Sequence, residues 1–405
     1  MSDGATWRQV DAAIDAGEIV ELTRRMVAVP SYRADEGWES GVARVLEEFL
    51  GGDGIATTRQ PVLDGRENLI ATLPGRAAGR PLLMLNGHMD TVPPSGSMPY
   101  PPFAAEIHEG RVWGRGAVDM KGAVAAMAGA LVALRRAGVR PPRAVMLAAV
   151  IAEETGNLGT AALARSGPFA DMAVVGEPSD LTIIPAHRGV YRCDVLVHGR
   201  AAHGSTPELG LNAIVQAARL IVALDERLPE MWKRQRHPVL GGPSVNIGTV
   251  RGGIAANVVP DRCVFNFSKR FVPGDSPERI RADLETVIAG SIGAGQAELV
   301  RDPAFDAVPR PPLDLSADHA LYRTLRESIE AVTGRPAAVG RFQAFTDAAV
   351  LQAGGTPAVV FGPGDLALAH TDEEHVALDA LHSAARVYAR LALRLCEAEE
   401  AAASA

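Results

Sequence analysis

Four stretches of this chain are apolar from end to end, while two others alternate strictly between apolar and polar residues, and no single sheet accommodates both kinds. The continuous runs are Pro81 to Leu85 (PLLML), Ala144 to Ala152 (AVMLAAVIA), Met172 to Val175 (MAVV) and Pro357 to Phe361 (PAVVF). Strands of this composition are buried on both faces, as in a mainly parallel sheet sandwiched between helices. A helical stripe starts at Asp119 and runs through Met120, Val124, Met127, Leu131 and Leu134, ending near Gly138 and Pro141.

The alternating stretches are VYRCDVLVHG, with Tyr191, Cys193, Val195 and Val197 on one face, and RCVFNFSKR, with Cys263, Phe265 and Phe267 on one face. Such strands form an antiparallel sheet with one solvated face. Between them Leu211, Ile214, Ala218, Ile221 and Leu224 are spaced as the buried side of a helix. The expected architecture is therefore an α/β domain built from residues 1–188 and 309–405, interrupted by an inserted α+β domain at residues 189–308. No internal repeat is visible, and the last ten residues, CEAEEAAASA, are expected to fray.

Composition narrows the function. With 405 residues, 47% of them hydrophobic and 22% charged, the chain can bury a core without disulfides or structural metals. A formal net charge of −8 excludes the basic surface that nucleic acid or an anionic membrane would require. The three cysteines, Cys193, Cys263 and Cys396, lack any C-x-x-C pairing and are expected to be reduced and buried. No secretory n- and h-region opens the sequence, and no run of about 18 apolar residues is evident, so a cytoplasmic protein is expected.

In open α/β sheets, ligands gather at the carboxyl ends of the strands. Gly87-His88-Met89-Asp90 follows the first apolar run, Glu153-Glu154 the second and Gly176-Glu177 the third; Asp119 begins the long helix, and His370 lies beyond the fourth. Imidazole and carboxylate are the ligands zinc takes when thiolate is absent. Each has a plain alternative: Asp119 as a helix cap, the Glu pair as a solvated strand end, His88 as a satisfied core histidine. The HTDEEH segment at His370 matches neither H-E-x-x-H nor H-x-x-E-H. Five such residues at one sheet edge nevertheless favour a metal site.

GHMDTVPP, GRGAVDMKG, EETGNLGT, GEP, AAHGSTPELGLNAI, ANVVPD and FGPGDLALAHTDEE follow one another in order across nearly the whole chain. Together they resemble the signatures of the acetylornithine deacetylase and succinyl-diaminopimelate desuccinylase family, relatives of aminoacylase and of glutamate-releasing zinc carboxypeptidases. The resemblance implies a zinc-exopeptidase-like catalytic domain with an inserted lid and dimerisation domain, and a homodimer. It implies two Zn²⁺ per subunit, with Co²⁺ or Mn²⁺ able to substitute: His88 and Glu177 on one, Glu154 and His370 on the other, Asp119 between them. By the same resemblance Glu153 is the general base, and Asp90 is a carboxylate that takes the second imidazole N–H of His88, fixing its tautomer. Two divalent ions against three carboxylates leave one positive charge, which a hydroxide would neutralise.

The resemblance also places His203, Asn257 and Arg270 over the active site. His203 would donate to the tetrahedral oxyanion, and Arg270 would take a substrate carboxylate. The sequence departs from the family's pattern at Ala152, where an acidic residue is common, and at Ser268, where aspartate is usual. His108, His187, His198, His237, His319, His375 and His382 are read as surface or structural, and Glu374 as a scaffold residue near His370.

The reading that follows is a zinc amidohydrolase that removes an acetyl, succinyl or similar acyl group from an N-acylated amino acid carrying a free carboxylate. A metallo-dipeptidase or carboxypeptidase on the same scaffold is the alternative, and a non-catalytic binding protein is a third. No G-x-S-x-G elbow, P-loop or dinucleotide-binding glycine motif supports other chemistry.

Overall fold

The computed structural model describes residues 3–32 and 37–403 and separates into two compact units. The first contains the described residues within 1–185, 315–342 and 346–405; the second contains 186–314 and 343–345.

The first unit is built on a six-stranded sheet in the order Ala56–Leu63, Arg66–Leu73, Val145–Val150, Leu83–His88, Met172–Val175, Ala358–Val360. The last four strands run parallel, and an antiparallel hairpin closes one edge. Val145–Val150 and Leu83–His88 are buried at every position, as their unbroken apolar composition requires of a sheet covered on both faces. Helix Gly122–Arg136 is buried from Gly122 to Leu134 and packs against Ala16–Val27 and the C-terminal helix Leu378–Ala403.

Three expectations need correction here. The long helix begins at Gly122; Asp119 stands before it, with φ −123° and ψ 92°, in the irregular segment Ala117–Lys121. Residues 117–136 do form one stretch long and apolar enough to cross a membrane, and all of its apolar window is buried in the unit's own core, as a soluble protein's central helix would be. The tail is helical through Ala403 rather than frayed, with Leu395 and Cys396 buried; residues 404 and 405 lie outside the described residues.

The second unit is a four-stranded antiparallel sheet, Ser244–Gly252, Arg262–Phe271, Gly189–His198, Ala297–Val300, with helices Ala213–Trp232 and Pro277–Ser291 contributing to its core. Alternation is kept: Tyr191, Cys193, Val195 and Val197 meet Cys263, Phe265 and Phe267 in that core. Helix Ala213–Trp232 buries Ala213, Ala217, Leu220, Leu224, Leu228 and Trp232; of the expected stripe Leu224 is buried and Ile221 packs partly buried against the core, whereas Ile214 and Ala218 are exposed. Apolar residues lie on more than one side of this helix, and the side carrying Leu220, Leu224, Leu228 and Trp232 enters the core. All three cysteines are free and buried.

Candidate metal centre

The site lies in the first unit, where four sheet strands release their chains at the same edge. His88 is the last residue of its strand, Glu153 and Glu154 follow Val145–Val150, and Glu177 follows Met172–Val175. His370 sits beyond Ala358–Val360 on a loop, at φ 63°. Asp119 reaches the edge because the segment ahead of helix Gly122–Arg136 presses against the strands. A Cβ on Gly87 would stand 2.8 Å from both Met120 Cε and Val124 Cγ2, and one on Gly176 would stand 2.6 Å from Met127 Cε. Glycine at these two positions is what lets the backbones approach.

Asp119 joins the two histidines. Its Oδ1 is 3.0 Å from His88 Nε2, and its Oδ2 is 3.2 Å from His370 Nε2. His370 Nε2 is also 2.9 Å from Glu154 Oε1. His88, Asp119 and Glu154 each offer a ligand atom within 4.8 Å of the others, a spacing one cation could close. Glu177 is close enough to Asp119 and His88 for their charges to shift its titration. His88, Asp119 and Glu177 are buried, whereas the His370 side chain is about half exposed, at 49%.

His88 is oriented through Nδ1, which donates to the Asp90 backbone carbonyl at 2.9 Å. The Asp90 carboxylate, expected to take that proton, is 3.6 Å away and does something else. Its two oxygens accept the backbone N–H groups of Glu153 and Glu154, both at 3.1 Å. It therefore links the first strand end to the second and sets where both glutamates begin.

The electrostatics are those of acids gathered without enough positive charge. Burial pushes Asp90 up to about 7, with Glu39 and Glu154 adding to it. Burial raises Glu153 well above the usual carboxylate range, and the Glu177 charge raises it further; Glu177 is raised by burial and then by Asp119. Burial alone would raise Asp119, but hydrogen bonds from His370 and His88 hold it low. Donating to the Asp119 and Glu154 carboxylates raises His370 to about 10. His88 is raised too, because Asp119 and its acidic neighbours outweigh burial. Buried imidazoles and carboxylates of this kind suit divalent cations, whose charge would reverse the mutual repulsion of the acids.

Glu374 was read from the sequence as a scaffold residue near His370, whereas Arg115, Glu39, Asn157 and Asp347 were not singled out there. Glu374 is fully buried; it pairs with buried Arg115 and accepts from the backbone N–H of Gly116 at 2.8 Å and of Asp119 at 3.3 Å. It thereby holds the Asp119 segment out of helical conformation. Glu39 accepts the Ala152 N–H at 3.1 Å and takes a bidentate contact from Arg66. Asn157 and Asp347 adjoin Glu153. Their roles depend on contacts between distant segments, which carry no local sequence signal.

The remaining candidates lie in the second unit. His203 Nδ1 lies 2.6 Å from Ser205 Oγ and accepts the Ser205 backbone N–H at 3.2 Å. Asn257 is next to it, because its carbonyl accepts the Gly204 N–H at 2.7 Å. Arg270 faces Val190 across the sheet and is half-buried; burial and the Arg192 and Arg188 charges lower its pKa.

Comparison with known proteins agrees with this architecture. The sequence is 33% identical over 356 residues to an acetylornithine deacetylase of Myxococcus xanthus, covering 85% of this chain and 89% of that one. An aminopeptidase structure from Bacillus cereus superposes with a TM-score of 0.76 at 21% identity, covering 95% of this chain and 99% of that one. A Bacillus subtilis protein described as a dinuclear metal-binding peptidase superposes with a TM-score of 0.70 at 18% identity, over 94% and 98%. The model for peptidase family M20/M25/M40 matches residues 84–394, and the chain belongs to that family of metal-dependent amide hydrolases.

Proposed function

We propose that this protein is a dinuclear zinc amidohydrolase that removes an acetyl, succinyl or similar acyl group from an N-acylated amino acid. The observation that carries the reading is the junction at Asp119, one carboxylate within 3.2 Å of a histidine at a strand end and another on a distant loop, with Glu154 on the second. The 33% identity to an acetylornithine deacetylase favours deacylation over other amide chemistry.

In this reading His88 and Glu177 would hold one zinc and Glu154 and His370 the other, with Asp119 able to reach both. When bound, the metals lower the pKa of a water and polarise the scissile carbonyl. Glu153 takes a proton from the attacking water and delivers it to the departing amine nitrogen as the C–N bond breaks, so a carboxylate and an amine leave. Burial raises the Glu153 carboxyl above the usual carboxylate range, which favours its taking up a proton. Asp90 keeps the backbone of Glu153 and Glu154 in place. His203 would donate Nε2–H to the developing oxyanion, a contribution of about 3 kcal/mol for one such donor. Asn257 and Arg270 would contact the substrate, Arg270 through its carboxylate, which the neighbouring Arg188 and Arg192 charges favour.

We also propose a homodimer formed through the second unit. The exposed apolar side chains Leu209, Val222, Val250 and Ile254 of that unit would supply apolar surface for it. Sedimentation at micromolar concentration tests it; a monomer would contradict it.

A peptidase on the same scaffold is the second reading, favoured by the likeness to the Bacillus cereus aminopeptidase. Both cleave an amide beside a carboxylate-bearing residue, so substrate walls decide between them. Zinc-reconstituted protein assayed against N-acetyl, N-succinyl and N-formyl amino acids beside dipeptides separates the two. Deacylation is expected; activity confined to dipeptides would overturn it.

A further inference from the structure

Asn157 stands at the N-terminal boundary of helix Leu158–Ser166, where an asparagine ordinarily turns its side-chain oxygen back to accept a backbone N–H. Here its side chain makes no such cap. The side-chain nitrogen instead donates both of its hydrogens to carboxylates: to Glu153 Oε1 at 2.8 Å and to Asp347 Oδ1 at 3.0 Å. Two acceptors on either side of one NH₂ group fix the orientation of the amide.

Asp347 is the fixed end of this chain of contacts. It is 1% exposed, opens the helix Asp347–Ala353, and is also hydrogen-bonded by Thr160, whose hydroxyl is 3.4 Å from Asn86 Nδ2. Asn86 lies on the strand that delivers His88. The backbone closes the same loop, because the Gly156 and Asn157 N–H groups both donate to the Glu153 carbonyl at 3.1 Å. Glu153 is thus held at its carbonyl by the loop and at Oε1 by the amide. Among the described residues Oε2 has no hydrogen-bond partner, which leaves that oxygen to exchange a proton.

We propose that Asn157, anchored by Asp347, is a positioning residue that locks the Glu153 carboxylate in one rotamer with Oε2 presented to the reacting water. This rests on the assignment of Glu153 as general base. A freely rotating glutamate would spend most of its time misdirected, and residues that orient a reacting group in this manner typically contribute about 10- to 100-fold. Neither Asn157 nor Asp347 touches substrate in this account, and neither is a metal ligand.

The test is a double-mutant cycle on zinc-reconstituted full-length protein. Asn157 has φ 60° and ψ 30°, so Asn157→Gly removes the amide while keeping a backbone that glycine adopts freely. The expected result is a fall in kcat of about 10- to 100-fold, with KM within threefold and zinc content by elemental analysis unchanged. Adding Asn157→Gly to Glu153→Ala should then change kcat by less than twofold, since no carboxylate remains to be oriented. Asp347→Asn, which keeps an oxygen for the amide, should retain more kcat than Asp347→Ala. A crystal structure of Asn157→Gly should show the Glu153 side chain in more than one rotamer. Full kcat in Asn157→Gly, or the same fold loss with and without Glu153, would overturn the inference while leaving the base assignment intact. Wild-type kcat in Glu153→Ala would instead overturn the base assignment itself. Should Asn157→Gly not fold, Asn157→Ser and the Asp347 pair read out the same cycle.

Discussion

Removing the Glu374 side chain should cost more stability than any other single truncation near the site. Glu374→Ala leaves Arg115, 2% exposed, as a buried charge without its carboxylate, for which about 3–5 kcal/mol is typical. It also strips an acceptor from the Gly116 and Asp119 N–H groups, at about 1–3 kcal/mol for each that stays buried and unpaired. These losses overlap, so about 4–7 kcal/mol is expected for the variant, and less for Glu374→Gln, which keeps an oxygen for both N–H groups. The double variant Arg115→Met/Glu374→Gln should recover much of the loss, because it leaves no lone buried charge. Guanidinium unfolding of metal-free protein measures each corner of the cycle. Zinc titration should show weaker binding for Glu374→Ala, since the segment carrying Asp119 is no longer held. A cost below about 1 kcal/mol for Glu374→Ala, or additive effects in the double variant, would refute the claim that this pair shapes the Asp119 segment.

Two further outcomes follow from the same contacts. Metal-free protein should lose stability as pH rises. Asp90 and Glu374 are both pushed up to about 7 by burial, so between their ordinary values of 3.8 and 4.5 and about 7 the folded state binds more protons than the unfolded one. The hydrogen-bonded His370 acts in the same direction, its contribution fading as pH rises from 6.5 through about 10. Thermal unfolding from pH 4.5 to 8 should show a falling midpoint that saturating zinc flattens; a rising midpoint without metal contradicts these assignments. In the second unit, Lys269 is fully buried 3.3 Å from the Trp232 ring centroid and 2.6 Å from Asp275 Oδ2, so Asp275→Ala should destabilise by about 3–5 kcal/mol in urea unfolding. A loss under 1 kcal/mol would show that the Trp232 ring and Gln235 Oε1, 3.3 Å from the ammonium, suffice to carry the lysine.

What was legible in the sequence was whatever local pattern encodes. Continuous apolar strands announced the parallel sheet, and the residues directly after them announced the site, because a strand end has only one edge on which to arrive. The conformation of Asp119 was not legible. Met120, Val124 and Met127 continue a helical period through it, while the contact that breaks the helix comes from Glu374, 255 residues away. The buried face of helix Ala213–Trp232 was read only in part because apolar residues lie on more than one side: Ile214 and Val222 are exposed, while Leu220, Leu228 and Trp232 join Leu224 in the core. Asn157 falls within the EETGNLGT signature, but its partner Asp347 is 190 residues away, so only the fold reveals that the two meet beside Glu153.

The central claim is that His88, Asp119, Glu154, Glu177 and His370 hold two zinc ions. Anomalous diffraction at the zinc edge, on crystals of the zinc-reconstituted protein, tests it most directly. The account predicts two peaks per chain, one contacted by His88 and Glu177, the other by Glu154 and His370, with Asp119 contacting both. A single peak, or peaks away from these five side chains, would contradict it.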